Sequence, residues 1–189
     1  MKKAGIIVPV AWLCLTVVAC MSPAEVPTSR EEPKLLTWSE QIRVREQWLE
    51  KRYEMLLPMM QAHDIDMWVV VNEEFHEDPL TEYLAPPRPY VGGRDIFVFI
   101  DAGDDGLKRI ALVGFEEENL ARFFEMPRFS PDPDKPRSSE KVLAALYEEY
   151  RPERIGLGIG GRRGVTRSLT HESFHYLSKA MGSEATKRF

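Results

Sequence analysis

The order of apolar and polar positions predicts that a folded domain begins near residue 37. Apolar residues recur at helical spacing among charged ones, at Ile42, Leu49, Leu56 and Met60. Thr37-x-x-Glu40, just ahead of them, has the form of a capping box. We therefore predict a helix over about 38–63, with Pro58 kinking it or ending a turn.

Short apolar runs, rich in β-branched and aromatic residues, predict strands. They lie at 67–71, 95–101, 109–113 and 154–159. The first run is apolar at every position, which is typical of a strand buried on both faces. The second and third runs flank Gly103-Asp104-Asp105-Gly106, whose residue types favour a turn, so these strands should form an antiparallel hairpin.

Three further helices follow from the same reasoning, at 116–125, at 139–150 and from Thr170 to about Met181. Thr170 is the expected N-cap of the last one, and Gly182 is its expected stop. Strands and helices in this order predict an α/β fold, a mixed β-sheet flanked by helices. About 150 ordered residues suffice for one hydrophobic core.

The amino end predicts export. Lys2 and Lys3 precede an apolar run, Ala4 to Val18, that is shorter than the roughly 20 residues of a stable membrane-spanning helix. Such a run, ending in small residues, is typical of a secretory signal, so we exclude residues 1–19 from the fold. Its end, Val17-Val18-Ala19-Cys20, resembles the lipobox of bacterial lipoproteins.

The lipobox resemblance predicts that Cys20 carries lipid and holds the protein on a membrane, periplasmic or outer-membrane in location. The alternative is a simple cleaved signal with Cys20 free. Cys14, the second of two cysteines, lies in the signal, so the mature chain has no pair for a disulfide. Residues 20–36 carry Ser, Pro, Thr and Glu without periodicity and predict a flexible tether, with the α/β domain at 37–189.

Charge argues against a nucleic-acid partner. The formal net charge is -5, and loss of Lys2 and Lys3 with the signal makes the mature chain more negative still. A surface of that sign repels phosphate backbones and anionic lipid headgroups.

His171-Glu172-Ser173-Phe174-His175 matches the H-E-x-x-H pattern of zinc peptidases. On a helix, the two histidines would lie one turn apart, and Glu172 would activate a zinc-bound water. A catalytic zinc needs a third protein ligand, and Ser178 and Met181 stand where the metzincin pattern has Gly and His. We therefore interpret the match as fortuitous: Glu172 favours the helix dipole and the histidines are partly exposed.

Gly156-x-Gly158-x-x-Gly161 matches the dinucleotide fingerprint, but Arg162-Arg163-Gly164 follows where a helix should open. We interpret these glycines as a strand with close backbone approach, followed by a turn. Trp48 and Trp68 are expected in the core or at its edge.

The proline-rich loop before the second strand carries Arg88, Tyr90 and Arg94. Guanidinium and aromatic groups on a loop can contact an acidic or peptide ligand. The alternative is that they are solvated or paired with local acids such as Glu82.

Several stretches together resemble the creatinase-type amino-terminal domain, which precedes the "pita-bread" catalytic domain of the Xaa-Pro aminopeptidase (M24 peptidase) family. They are Arg52-x-x-x-Leu56-x-x-x-Met60, Asp64-Ile65-Asp66, Trp68-Val69-Val70, Val142-Leu143-x-x-Leu146, Arg154-Ile155-Gly156-Leu157 and Ser168-Leu169-Thr170. The resemblance covers about residues 38 to 182, and the tract from His76 to Gly93 is similar to lipoprotein-like members.

This resemblance implies a ribonuclease H-like α/β fold and, in the full protein, a homodimer in which this domain leans over the partner's active site. It implies peptides with proline at the second position as substrates of the whole enzyme. It also implies two divalent metal ions, held by Asp, Asp, His, Glu and Glu of a catalytic domain that would begin about where this sequence ends.

The resulting hypothesis is a non-catalytic amino-terminal domain of an exported Xaa-Pro aminopeptidase-like metallopeptidase, inactive alone as a hydrolase. Two alternatives stay open: a stand-alone surface lipoprotein that binds a peptide or protein, and a small zinc peptidase that uses His171, Glu172 and His175.

Overall fold

The computed structural model describes residues 34–88, 91–115, 117–127, 138–160 and 169–189. Four strands form one mixed sheet. They are β1 (Met67–Glu73), β2 (Arg94–Asp101), β3 (Leu107–Leu112) and β4 (Ile155–Leu157), in the order β3-β2-β1-β4. β2 is antiparallel to both β1 and β3, and β4 is parallel to β1. The predicted hairpin is therefore confirmed, as is the mixed α/β class.

The helices are α1 (Trp38–Ala62), α2 (Thr81–Leu84), α3 (Glu118–Ala121), α4 (Ser139–Tyr150), α5 (His171–Met181) and α6 (Ser183–Thr186). The predicted helix starts at Thr37 and Thr170 are confirmed. The Thr37 backbone N–H donates to Glu40 Oε2 at 2.7 Å, and Thr170 Oγ1 accepts from Ser173 N at 3.1 Å. α1 continues through Pro58 to Ala62, so Pro58 does not end it.

Helices cover both faces of the sheet, because the strands send alternate side chains to opposite sides. On one face, Val69, Val98 and Ile110 pack against apolar residues of α4 and α5. On the other face, the core residues come chiefly from α1, the sheet and the segment around α3: Leu49, Tyr53, Leu56, Met60, Val70, Phe97, Phe99, Leu120, Phe123 and Phe124. β1 contributes to both cores, which confirms its predicted burial on two faces.

The predicted helix at 116–125 is wrong over most of its length. α3 spans a single turn, Glu118–Ala121, and the chain then runs along the outer edge of β3. Glu125 N donates to Arg109 O, and Ala111 N donates to Glu125 O, both at 2.9 Å. Leu120, Phe123 and Phe124 have helical spacing, yet backbone pairing with the sheet edge overrides it.

The other edge of the sheet is also occupied. β4 has only three residues, and Ile155 N donates outward to Arg188 O at 2.8 Å. The two edges of the sheet are thus bonded to short segments of the same chain, near Glu125 and near Arg188.

The prediction for Trp48 is wrong, because this residue of α1 is 54 % exposed rather than buried in the core or at its edge. Trp68 lies at the edge of the core as predicted, with its ring centroid 5.7 Å from that of Phe99.

Within the described ranges, no helix has both the length and the apolar composition that a membrane crossing requires.

Candidate ligand cleft at the carboxyl end of the first strand

A cleft of about 490 Å³ opens where β1 ends, between α1 and the segment that leads to β2. Its described lining combines charged, polar and apolar side chains: Arg45, Asn72, Glu77, Asp78, Pro79, Thr81, Glu82, Ala85, Pro86, Pro87, Arg88, Val91 and Phe97. The volume is typical of small-molecule sites, which often lie beyond the carboxyl ends of parallel strands.

Asp78 is the most unusual group of this cleft, because its residue surface is only 8 % exposed. Its backbone N–H donates to Asn72 Oδ1 at 2.8 Å, and its Oδ1 accepts from Leu80 N at 3.0 Å. Burial raises the pKa of Asp78, although the Leu80 N–H and the nearby His76 act in the opposite direction. The turn after β1 therefore fixes a carboxylate in a poorly solvated position.

Arg88 lies inside the domain rather than on an open loop. Its side chain is 8 % exposed, and Nη1 is 2.5 Å from Oδ2 of Asp95, a residue whose side chain is 1 % exposed. Arg88 Nε forms an ion pair with Glu117 Oε2 at 3.0 Å, without hydrogen-bond geometry. Arg88 Nη2 donates a hydrogen bond to Glu117 Oε1 at 3.3 Å. Burial raises the pKa of Asp95, and the Arg88 charge opposes that rise. Both acids compete with any ligand for Arg88.

Arg94 is the first residue of β2, which corrects its predicted place on the loop. Its Nη2 lies 3.3 Å from Glu73 Oε1 and 3.2 Å from Glu172 Oε1, and its guanidinium carbon is 4.5 Å from the centre of the Tyr176 ring. Both described arginines of the predicted contact loop are thus held by acids, and Glu82 is not among these partners. Tyr90, the third residue of that prediction, lies outside the described residues.

Glu73 joins the ion pairs around Arg94 to α5. It accepts a hydrogen bond from the fully buried Ser173 hydroxyl as well as from Arg94. Burial by itself raises the pKa of Glu73, but hydrogen bonds from Ser173, Thr170 and Arg94 outweigh it and leave the pKa below its ordinary value. These contacts connect the start of α5 to the end of β1 and stabilise the packing of the two elements.

The H-E-x-x-H residues stand on α5 with exposed side chains at His171, Glu172 and His175, and Glu172 is paired with Arg94. Over the ranges that the structure describes, no three His, Cys, Asp or Glu side chains are grouped to hold a metal ion. The described geometry therefore brings no third ligand to these histidines. Cys20, the predicted lipidation site, lies outside the described residues.

The first glycine of the dinucleotide-like pattern confirms the close-approach interpretation. A Cβ on Gly156 would lie 3.1 Å from Trp68 Cδ1 and 3.3 Å from Ile65 Cγ2, which is tighter than ordinary packing. The space beside β4 is therefore filled by side chains of the domain. Gly161 lies outside the described residues.

A smaller groove of about 290 Å³ continues the cleft between α1 and the segment 82–87. It shares Arg45, Glu82 and Pro86 with the cleft and adds two half-exposed aromatic side chains, Trp48 and Tyr83. The Arg52 guanidinium carbon lies 5.2 Å from the centre of the Tyr83 ring. Aromatic side chains exposed beside a cleft are typical of ligand contact surfaces.

The sequence pattern missed Asn72, Asp78 and Asp95 as site residues. A usable signal was present at two of them: Asn72 extends an otherwise apolar strand, and Asp95 opens the apolar run 95–101. Polar residues inside buried strands need a partner, so their presence there indicates a structured polar site.

No family model, no curated protein and no solved structure matches this chain in the comparisons.

Proposed function

We propose that this chain is a creatinase-type amino-terminal domain of an exported Xaa-Pro aminopeptidase-like protein, with a ribonuclease H-like arrangement of its sheet. Its role is non-catalytic: it contributes to dimerisation and to the cover of an active site built by a metal-dependent catalytic domain. That catalytic domain would supply the ligands for two divalent metal ions, and peptides with proline at the second position would be the substrates of the whole protein.

One observation carries the proposal. Two of the stretches that carry the resemblance, Asp64-Ile65-Asp66 with the following strand and Arg154-Ile155-Gly156-Leu157, form one structural unit. β1 and β4 pair in parallel, and Asp66 Oδ2 accepts from the backbone N–H groups of Glu153 and Arg154 at 2.7 and 3.0 Å. Stretches more than 80 residues apart in sequence thus depend on each other for capping and packing.

The amino-terminal turns of α1 support a contact role. Trp38 and Ile42 are 80 % and 43 % exposed. By helical periodicity they lie on the same side of α1 as the buried Leu49 and Leu56. An apolar side that continues beyond its own core is suited to packing against another domain or subunit.

We further propose that the protein is membrane-anchored through lipid on Cys20, in the periplasm or at the outer membrane. The lipobox-like ending of the apolar leader supports this part, and it is independent of the cleft.

An activity assay tests the catalytic part of the proposal. The purified chain, incubated with manganese or cobalt and a Xaa-Pro dipeptide, is expected to release no amino acid above background. Turnover that scales with protein concentration would contradict a non-catalytic role. A second assay, zinc analysis of the chain and its His171→Ala variant, tests the zinc-peptidase alternative: one zinc per chain, lost in the variant, would favour that alternative.

The cleft favours a second candidate function, that of a stand-alone surface lipoprotein that binds a peptide or another ligand. Reading the genomic DNA beyond the codon for Phe189 separates the two candidates. An open frame that continues into acidic and histidine metal ligands favours the metallopeptidase domain, and a stop codon there favours the stand-alone binder.

A further inference from the structure

The buried carboxylate of the cleft has bonding capacity that the described residues do not use. Asp78 Oδ1 accepts from Leu80 N, whereas no residue of the described ranges donates a hydrogen bond to Oδ2. Oδ2 lies beside the backbone of Gly158, 3.7 Å from where a Cβ on that glycine would be. Burying a carboxylate is costly unless donors or a cation compensate it, and burial raises the pKa of this one.

Among the described residues, the charged side chains that line the cleft have a negative balance. Glu77, Asp78 and Glu82 line it, and Arg45 and Arg88 are the guanidinium groups of the lining. Arg88 is already shared by two further acids, Asp95 and Glu117. His76 lies close enough to Asp78 to lower the pKa of that carboxyl. An anionic ligand would therefore meet repulsion here, whereas a cation is attracted.

Apolar side chains complete the walls. Pro79, Ala85, Pro86, Val91 and Phe97 all line the cleft, and Phe97 is 1 % exposed. They offer contact to a hydrocarbon body, while Thr81 adds one hydroxyl. A cleft volume of about 490 Å³ admits a group the size of a lysine side chain or a small amine.

We propose that this cleft binds a protonated amine carried on an apolar body, with the ammonium group paired to Asp78 and the hydrocarbon part lying against the proline-lined wall. The ammonium provides charge-assisted hydrogen bonds to the Asp78 carboxylate, which accepts one from Leu80 N among the described residues. The inference does not depend on the proposed metallopeptidase role, because it uses only residues of the cleft.

Three matched probes of equal chain length test the proposal: pentylamine, 1-pentanol and pentanoate, added to the full chain and followed by calorimetry and amide chemical shifts. We expect pentylamine to bind with shifts centred on Asn72, Asp78 and Thr81. The alcohol should bind at least about tenfold more weakly, since it keeps the hydrocarbon but loses the charge-assisted bonds. Pentanoate should not bind.

Asp78→Asn is the decisive variant, because the amide keeps the shape and the acceptor for Leu80 N but removes the charge. It should weaken pentylamine binding by about tenfold or more while leaving the melting temperature unchanged or raised. Asp104→Asn, on the distant turn before β3, is the matched control and should leave binding unchanged. Equal affinity for pentylamine and pentanol, no binding of pentylamine at 50-fold molar excess or above, or unchanged binding in Asp78→Asn would each overturn the proposal.

Discussion

Removal of the buried guanidinium at position 88 should destabilise the domain strongly. Arg88→Met deletes the charge 2.5 Å from Asp95 while keeping most of the apolar stem. Removing one partner of a buried ion pair costs about 3 to 5 kcal/mol, because the other charge stays buried without compensation. Domains of this size are stable by about 5 to 15 kcal/mol, so the melting temperature should fall by roughly 6 to 20 °C.

The loss should depend on pH. Burial already raises the pKa of Asp95, and Arg88 is the chief group that limits the rise. Without Arg88 the folded-state pKa rises further above the value of the unfolded chain. A carboxyl with a raised folded-state pKa stabilises the protein when it is protonated, and this stability is lost as pH rises through that pKa. The free-energy deficit of Arg88→Met should therefore be smaller at pH 5 than at pH 8, by up to about 1.4 kcal/mol per pH unit of the shift.

Urea unfolding followed by circular dichroism at the two pH values measures both effects. The double variant Arg88→Met/Asp95→Asn removes both charges and should recover most of the lost stability. The reasoning is refuted if Arg88→Met lies within about 1 kcal/mol of the parent at pH 8, since buried-pair disruption costs several times that amount. It is refuted equally if the double variant is as unstable as the single one.

Three further changes probe other parts of the chain. Cys20→Ser should abolish incorporation of labelled palmitate and release the protein from the membrane fraction; unchanged membrane retention would speak against lipidation. Gly156→Ala should cost about 1 to 3 kcal/mol, since its Cβ would lie 3.1 Å from Trp68 Cδ1. Gly114→Ala is the matched control, because its closest contact is an ordinary 3.6 Å, and equal losses in urea unfolding would contradict the packing argument. Glu73 has a lowered pKa, so its contribution is present above the ordinary value of 4.5 and is lost as pH falls through its folded-state pKa. Glu73→Gln should therefore flatten the acid side of the stability profile, and a profile parallel to the parent's would exclude this linkage.

The pattern of the sequence predicted those elements whose signals are local. The capping box at Thr37, the apolar run of β1 and the Thr170 cap each depend on neighbours within a few residues, and each is confirmed. The end of the predicted helix at 116–125 was missed because Glu125 pairs with β3, a contact that exists only once the sheet has formed.

The site was predicted less well for a related reason. Arg88 and Arg94 stood out as cations near a loop, but the acids that hold them lie on other elements, at Asp95, Glu117 and Glu172. Asp78 resembled any loop acid in the sequence, since its burial results from the packing of the segment after β1 against the rest of the domain. Partners distant in sequence decide whether a charge is exposed to ligands.

The bonded margins of the sheet bear on how the protein behaves when many copies are crowded together. An edge strand with unpaired N–H and C=O groups is a template on which a second molecule can extend the sheet, and such extension leads to polymers. Here the groups near Arg109 and Ala111 are occupied by Glu125, and the N–H of Ile155 is occupied by Arg188. Those backbone positions are closed to a strand from a neighbouring copy, so dense packing of this domain on a surface is compatible with each copy keeping its own fold.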